Sequence, residues 1–253
     1  EDPAAVKQRV MQRLWQTINP LSIPPDIKGW PFGQALTAWD IYKIISGEPG
    51  VNSVGKVRMV VDEVPDKNVK ALCADGFQPH TWYAASGDTV FRSMDDAQGW
   101  EAIGQFPGEQ VLRVLAFPRE ASSHARQAGL VAVASELKDG GSGSRLHISR
   151  DCGETWEAGL QTTFLVEDMA WLERDGVPLL LLATEKGLYE LAAQTHADPH
   201  QVLVDTAHPS LGFYAVAVST DVWGGTSVAV AARGDRGVYL SSKGGQPETF
   251  AAI

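Results

Sequence analysis

The chain has 253 residues, enough for one large globular domain or two ordinary ones, and 44% of them are hydrophobic and 21% charged. The formal net charge of −10 argues against the basic surface that nucleic-acid binding requires. The longest apolar run, Val177–Ala183, is too short to span a bilayer, and the acidic first residues predict no signal peptide. Two cysteines are too few for a disulfide framework, so both are expected as thiols.

Residues 1–65 are predicted to form a small α/β domain. Apolar residues recur every four positions over residues 6–18, which predicts a helix. The helix is expected to end at Asn19, because the residue before a proline is disfavoured in the α region. A second helix is predicted over residues 34–46, and alternation of apolar and polar residues over 56–62 predicts a half-buried strand.

Residues 66–253 lose the helical period and are predicted to be mainly β. They divide into four units of four short strands each, and this spacing is typical of a β-propeller with about four blades. A β-sandwich is the rival architecture, but it is not expected to repeat its turns at a fixed period. The fold prediction is therefore a series of β-propeller-like repeats of four-stranded antiparallel units, preceded by the small α/β domain. The predicted strands are 69–75, 80–85, 89–93 and 100–103 in the first unit; 111–117, 130–135, 145–149 and 156–160 in the second; 167–172, 178–184, 187–191 and 201–204 in the third; and 213–219, 227–232, 237–241 and 249–253 in the fourth.

Two turn sequences repeat within these units. The better one has the pattern S-x-D-x-G-x-T-W, and the weaker copy keeps the serine, the aspartate and the tryptophan at the same offsets. Serine and aspartate side chains can hydrogen-bond their own backbone, and glycine accepts the positive φ of a tight turn. The tryptophan that follows is expected to point inward and bury its ring. The residues are Ser149, Asp151, Gly153, Thr155 and Trp156 in the better copy, and Ser93, Asp95 and Trp100 in the weaker one.

The better copy resembles the Asp-box, or BNR repeat, of sialidase-like and sortilin-like β-propellers. The resemblance implies a hairpin turn on the rim of a blade, generally remote from the ligand face, so the expected role is structural. Calcium or ligand binding at the turn is the alternative.

A second motif lies in the N-terminal domain and consists of Gly29, Trp30, Pro31, Phe32 and Gly33. Together with its flanking helices, Asn19–Leu21 before it and Pro49–Val51 after it, this motif resembles the C-terminal part of baseplate J-like proteins. These are wedge components of contractile phage tails and related injection systems. The resemblance covers residues 5–64 and implies a wedge-assembly domain. The alternative is an ordinary aromatic-Pro-Gly loop in an unrelated α/β module.

Enzymatic chemistry is not expected. A sialidase would need three arginines that clamp a carboxylate; the repeat region contains arginines, but the early Arg-Ile-Pro segment of that family has no match. The spacing of His196 and His200 could hold a metal, yet no third histidine or cysteine lies nearby in sequence, so no metal and no cofactor is predicted. The arginines considered are Arg92, Arg113, Arg145, Arg150, Arg233 and Arg236. Aromatic residues in strands more often belong to the core, but five of them could form a glycan platform. They are Trp82, Tyr83, Trp171, Tyr214 and Trp223.

The leading functional prediction is a non-enzymatic structural component of a contractile tail or injection-system baseplate. Its partners would be other baseplate or tail subunits, with no nucleic acid and no membrane insertion, and it would assemble in the cytoplasm as part of a phage tail or tail-like particle. The alternative from another class is a glycan- or receptor-binding β-propeller. A sialidase-like glycoside hydrolase is the third possibility.

Overall fold

The computed structural model describes residues 2–21, 29–31, 33–55, 57–59, 62–65, 68–119, 127–138, 141–194 and 198–253. The chain divides into two compact units, residues 1–61 and 62–253. The described part of the chain is mainly β and contains four four-stranded antiparallel sheets, which confirms the predicted mainly β fold of four-stranded units. No helix in the described part of the chain is long and apolar enough to cross a membrane.

The regular structure of the first unit consists of helices α1 (Pro3–Ile18) and α2 (Ala38–Ser46). Asp2 caps α1, because its carboxylate accepts a hydrogen bond from Ala4 N at 3.1 Å. Helix α2 begins with a capping box, in which the side chains of Thr37 and Asp40 each accept a hydrogen bond from the other's backbone N–H. This box explains why α2 begins later than the apolar pattern predicted.

The strand predicted over residues 56–62 is not found in the part of this segment that the structure describes. Residues 57–59 and 62 join no ladder, and residues 56, 60 and 61 lie outside the described residues. An alternating pattern becomes a strand only where a neighbouring strand accepts and donates its backbone hydrogen bonds. The described residues of the first unit are therefore helical and irregular, and the α/β character predicted for it is not confirmed.

The second unit contains sixteen strands among its described residues. Within each sheet the strands pair antiparallel in chain order, so each sheet is a simple meander. Sheet 1 comprises β1 (Val69–Ala74), β2 (Trp82–Ser86), β3 (Thr89–Ser93) and β4 (Glu101–Gln105); sheet 2 comprises β5 (Glu109–Ala116), β6 (Val131–Leu137), β7 (Ser144–Ser149) and β8 (Leu160–Gln161); sheet 3 comprises β9 (Val166–Arg174), β10 (Val177–Thr184), β11 (Gly187–Ala192) and β12 (His200–Val202); sheet 4 comprises β13 (Phe213–Thr220), β14 (Thr226–Ala232), β15 (Val238–Ser241) and β16 (Ala251–Ala252).

The fourth strand of a sheet is the one whose predicted bounds differ most. In sheet 2 the strand was predicted to begin at Trp156, but the ladder with β7 begins at Leu160. Glu157 N still donates to Ile148 O at 2.9 Å, so the segment runs beside β7 before it pairs regularly. The fourth strands of sheets 2, 3 and 4 are the short ones, with two, three and two residues.

Three hydrophobic clusters lie between consecutive sheets. Strand β10 shows how they form, because successive side chains of a strand point to opposite faces. Leu180 and Leu182 pack toward sheet 2, whereas Leu179 and Leu181 pack toward sheet 4. A strand covered on both faces is nearly continuously apolar, as this one is from Val177 to Ala183. Among the described residues, no such cluster joins sheet 4 to sheet 1.

The first strands of the four sheets surround a common axis. A cavity of about 400 Å³ lies there, and each sheet contributes to its wall, with Ala74 from β1, Leu115 from β5, Trp171 from β9 and Val218 from β13. The remaining strands of each sheet follow outward from this axis in chain order. This arrangement is propeller-like and places the turns between third and fourth strands on the outside.

Candidate functional site

The sheet-2 turn (Ser149–Trp156) connects β7 to β8 and is closed by its own side chains. Ser149 Oγ accepts a hydrogen bond from Gly153 N at 2.8 Å and donates one to Asp151 Oδ1 at 2.9 Å. Asp151 also accepts from Thr155 N at 2.8 Å and from Thr155 Oγ1 at 2.7 Å. Gly153 has φ 86°, which suits glycine. The four polar and glycine positions singled out in the sequence thus form one hydrogen-bonded turn.

The sheet-1 turn (Ser93–Trp100) has the same backbone and serine hydrogen bonds at the same offsets, but Gly99 stands where Thr155 adds its hydroxyl bond. Ser93 Oγ accepts from Ala97 N at 2.9 Å and donates to Asp95 Oδ1 at 2.8 Å. Asp95 Oδ1 also accepts from Gly99 N at 2.8 Å. Ala97 takes φ 65° at the position that Gly153 holds in the other turn. The serine and the aspartate are therefore sufficient for this geometry.

A third turn of this kind, the sheet-4 turn, connects β15 to β16, and the sequence analysis missed it. Ser241 Oγ accepts hydrogen bonds from Gly245 N at 3.3 Å and from Lys243 N at 3.2 Å. Gly245 has φ 68°, like the glycine of the sheet-2 turn. Lys243 occupies the position of the aspartate, so the S-x-D pattern is lost. The spacing of serine and glycine was the signal that remained.

Trp156 connects the sheet-2 turn to sheet 1. Its ring is half-buried, its Nε1 donates to Ile103 O at 2.9 Å, and it lies edge-on to Phe106 with 5.5 Å between ring centroids. The sheet-2 turn and sheet 1 approach each other so closely that two glycines have no room for a side chain. A Cβ on Gly153 would lie 2.2 Å from Ile103 Cδ1, and one on Gly104 would lie 2.6 Å from Trp156 Nε1. The ring therefore packs against sheet 1 but stays half-buried, whereas the sequence predicted a buried ring.

The tryptophan of the sheet-1 turn is held differently. The backbone N of Trp100 donates to Asp62 Oδ1 at 2.9 Å, and its carbonyl accepts from Glu63 N at 2.9 Å. Its side chain is half-buried. The first residues of the second unit thus hydrogen-bond to this turn. The two turns are closed by the same serine and aspartate bonds, but their tryptophans contact different parts of the chain.

The aspartates of both turns stay ionised. Hydrogen bonds from Gly99 N and Ser93 hold the pKa of Asp95 below its usual value. Burial would raise the pKa of Asp151, but the hydrogen bonds from Thr155 and Ser149 lower it overall. No group of three His, Cys, Asp or Glu side chains is placed to hold a metal within the part of the chain that the structure describes.

A buried polar cluster in sheet 2 was not anticipated from the sequence. Glu109 accepts hydrogen bonds from Ser135 Oγ and from Arg145 Nη1, the latter at 2.8 Å, and its Oε2 lies 2.8 Å from His147 Nε2. Phe106 stacks on the imidazole, with 4.0 Å between ring centroids. Burial lowers the pKa of His147 below its usual value, although Glu109 acts in the opposite direction.

This cluster contains a serine, a histidine and a carboxylate, but they are not connected as a nucleophilic triad. In a triad the histidine bonds the serine hydroxyl and the carboxylate bonds the far side of the imidazole. Here Ser135 and His147 both bond Glu109 instead. The cluster therefore ties β5, β6 and β7 together.

The arginines considered for a carboxylate clamp already have partners inside the chain. Arg92 is buried and binds Glu101 and Glu154, and its Nη1 also donates to Cys152 O in the sheet-2 turn at 2.7 Å. Arg113 Nε lies 3.6 Å from Asp168 Oδ1. The other pairs are Arg145 with Glu109, Arg150 with Glu157, Arg233 with Glu167, and Arg236 with His208.

The aromatic side chains considered for a glycan platform do not share one surface. Tyr83 and Trp171 are fully buried in the clusters between sheets, and Trp82 is half-buried, so the platform as a set is wrong. Tyr214 and Trp223 are exposed. Which strand aromatics are covered depends on the neighbouring sheet, which alternation within one strand does not reveal.

Two further sequence candidates are placed as follows. In the first unit, Trp30 N donates to Asn19 O at 2.9 Å, so the motif that begins at Gly29 folds back on the end of α1. Trp30 Nε1 also donates to Gln34 O at 2.9 Å. Phe32 lies outside the described residues. His200 Nε2 lies 2.8 Å from Glu190 Oε1, and His196 lies outside the described residues.

No family model and no curated protein matches the chain. Among solved structures it is similar to a GH74 enzyme of Niastella koreensis, with 16% identity over 74% of this chain and 29% of that one, and a TM-score of 0.48. It is also similar to a luciferin-regenerating enzyme (14% identity, 74% and 62% covered, TM-score 0.49) and to the Bacteroides ovatus xyloglucan PUL GH43B (12% identity, 77% and 41% covered, TM-score 0.41). The chain spans less than two thirds of each of these structures, and the likenesses assign it neither an activity nor a partner.

Proposed function

We propose that this chain is a non-enzymatic structural component of a contractile tail or injection-system baseplate and that it acts by docking on other subunits. The observation that carries the proposal is that the described residues of the first unit form no buried core. None of the described residues from 2 to 59 is buried. Its helices instead expose large apolar side chains, with Trp15 64% and Trp39 61% accessible and Met11 also exposed.

Two helices of this length are not stable in water by themselves, because most helical stability in proteins comes from packing an apolar face. The helices are joined here by polar contacts, in which Glu48 pairs with Arg9 Nε at 3.1 Å and with Arg13 Nη1 at 3.0 Å. The arginines of both pairs are exposed to solvent, and pairs of this kind contribute little stability. Exposed tryptophans, by contrast, are typical anchors of protein interfaces. The first unit therefore completes its core on a partner subunit.

The Gly29–Gly33 motif supports the assignment of that partner to a baseplate. Gly29 lies against the end of α1, since a Cβ there would be 2.6 Å from Pro20 O. The motif thus turns the chain back toward the helix that carries Trp15. Under this proposal residues 1–65 are the wedge-assembly domain, residues 66–253 are a propeller-like domain on the same subunit, and assembly takes place in the cytoplasm as part of a tail or tail-like particle.

Mixing the purified chain with the other baseplate subunits of the same source tests the proposal by size-exclusion chromatography. We expect one of these subunits to co-elute with the unaltered chain and to be lost when Trp15→Glu and Trp39→Glu are combined. Trp223→Glu is the matched control, because it places the same charge at an exposed tryptophan of the second unit. Failure of every subunit to bind, or equal binding by the double variant, would contradict docking through the first unit.

A glycan- or receptor-binding propeller is the second candidate, and the exposed aromatics favour it. Trp223 is 92% accessible on the β13–β14 hairpin, where Asp221 Oδ1 accepts hydrogen bonds from Trp223 N at 2.8 Å and Gly225 N at 2.7 Å. Tyr214 is exposed beneath the Arg233 guanidinium, 4.6 Å from its ring centroid. A glycan array distinguishes the candidates: a saturable signal that Trp223→Ala abolishes would support binding, and a pure scaffold gives none.

A sialidase-like hydrolase is the weakest alternative. It requires arginines that are available to a substrate carboxylate, whereas those considered already contact groups of the chain, as Arg113 does with Asp168. Release of fluorophore from a fluorogenic sialoside would contradict the non-enzymatic proposal directly.

A further inference from the structure

The cavity at the common axis lies at one end of the second unit, where the first strands of the four sheets finish. Its wall includes Ala74, the last residue of β1, the last two residues of β5, and Val218 near the end of β13. Gly76 and Pro118, which follow β1 and β5, also line it, and Ala74 and Gly76 are exposed. The cavity can therefore be reached from solvent at this end of the axis.

The wall of this cavity is apolar. Its described residues are alanines, a glycine, a leucine, a proline, a methionine, a tryptophan and a valine, with no charged side chain among them. Trp171 is buried and its Nε1 donates to Leu115 O at 3.1 Å, so its polar atom is already bonded. The volume of about 400 Å³ lies within the range of ligand pockets, about 300–1,000 Å³. The cavity therefore suits one large apolar group.

The same end of the second unit carries two sets of turns. Strand direction alternates within each antiparallel sheet, so the turns between first and second strands and between third and fourth strands lie together at this end. The turns between second and third strands and the connections between sheets lie at the other. Sheet 1 shows this directly, because Asp96 N in the sheet-1 turn donates to His80 O in the β1–β2 turn at 3.0 Å. We call these the cavity end and the opposite end.

The two ends differ in charge. Among the described residues, the turns of the cavity end carry ten acidic and three basic residues, whereas the turns and connections of the opposite end carry four of each. Arg92 offsets a part of this difference, because it pairs with Glu154 from strand β3. The cavity end is therefore an acidic surface around an apolar centre. Its charged residues are Asp75, Asp95, Asp96, Asp151, Glu154, Glu157, Asp175, Asp198, Asp221 and Glu248, with Arg119, Arg150 and Lys243; those of the opposite end are Asp88, Glu185, Asp205 and Asp235, with Lys138, Lys186, Arg233 and Arg236.

We propose that the cavity end docks a basic segment of a partner protein, which places one large apolar side chain in the cavity and its lysines or arginines on the surrounding turns. Charge complementarity selects this partner, because an acidic surface attracts basic groups and repels the phosphates of nucleic acids.

The extent of the acidic surface and its apolar centre indicate a protein segment. The acidic residues occupy turns of all four sheets, so a chain can contact several of them at once, whereas a small molecule in the cavity cannot. An apolar anchor in a pocket with a polar rim is also the usual arrangement of an interface hot spot. This surface lies in the second unit and is independent of docking through the first.

Fluorescence anisotropy of labelled peptides tests the proposal on the full chain. The probe is a pentapeptide with a central tryptophan between two pairs of lysines, and its controls carry a central alanine or replace the lysines by glutamates. We expect the probe to bind with a dissociation constant below about 1 mM, the alanine peptide at least about tenfold more weakly, and the glutamate peptide not at all. Equal binding of the tryptophan and alanine peptides, or no binding of the probe up to about 1 mM, would overturn the proposal.

A cavity-filling variant locates the tryptophan of the probe. Ala74→Phe should weaken binding of the probe at least about tenfold, to the level of the alanine peptide. Ala102→Phe is the matched control, because it makes the same change at an exposed alanine of β4 that does not line the cavity. Undiminished binding by Ala74→Phe would contradict the proposal. Circular dichroism checks that each variant is folded, and Val218→Phe replaces Ala74→Phe if that variant is not.

A pair of charge changes locates the lysines. Combining Asp175→Asn with Asp198→Asn at the cavity end should weaken binding of the probe about two- to fivefold, and more at low salt than at high salt. The control combines Asp88→Asn with Asp235→Asn at the opposite end and should leave the affinity unchanged. Asparagine tolerates the positive φ of Asp175 and Asp235, 53° and 57°. Equal effects of the two double variants would place the peptide elsewhere and overturn the proposal.

Discussion

Replacing Trp156 by alanine tests whether the sheet-2 turn joins sheets 1 and 2. A tryptophan buries about 150–250 Å², so half-burial removes about 100 Å² from water, worth about 2.5 kcal/mol at about 25 cal/mol per Å². The hydrogen bond from Nε1 to Ile103 O adds about 1 kcal/mol, and the edge-on contact with Phe106 adds about 0.5 kcal/mol. The expected loss in the free energy of unfolding is about 4 kcal/mol, within the range for tryptophan-to-alanine changes.

Urea unfolding followed by circular dichroism in the β-sheet band measures this loss. Trp223→Ala is the control, because its exposed ring should change the free energy of unfolding by less than about 0.5 kcal/mol. Trp156→Phe keeps an aromatic ring but loses the N–H, so it should fall between the two. If Trp156→Ala costs less than about 1 kcal/mol, the ring does not join the sheets and the structural role of the turn is wrong.

Three further changes probe the same region. Gly153→Ala should lower the free energy of unfolding, measured in urea, by about 2–4 kcal/mol, because the new Cβ meets Ile103 and φ is positive. Gly87→Ala is the control: its φ is 62° but the space around it is open, so it should cost only about 1 kcal/mol. Equal costs for the two variants would refute the steric argument. Ser149→Ala should cost about 1–2 kcal/mol, and an unchanged urea midpoint would show that the turn closes without its hydroxyl. The pKa of His147 is lower in the folded chain than in the unfolded one, so the unfolded chain binds the imidazole proton first as the pH falls. The free energy of unfolding should therefore decrease as the pH drops below about 6.5. His147→Gln should make the urea midpoint depend less on pH over this range.

The strand order and two of the turns could be predicted from the sequence because their causes are local. Strand β10 is apolar from Val177 to Ala183, as expected of a strand covered on both faces. The pattern that begins at Ser149 contains every donor and acceptor that closes its turn. The sheet-4 turn escaped prediction because Lys243 replaces the aspartate while the backbone geometry persists. The strand expected over residues 56–62 was wrong for the described residues, since alternation does not supply a pairing partner.

Local patterns along the chain were thus enough to predict successive antiparallel sheets with serine- and aspartate-closed turns, preceded by amphipathic helices. Which side chains are covered became clear from the packing of the sheets. Trp171 is buried and Trp223 is exposed although both belong to the sheet region, and Arg92 reaches Cys152 in the turn of the next sheet. The physical reason is that hydrogen bonds within a turn depend on neighbours in the chain, whereas burial and ion pairing depend on which sheet lies opposite.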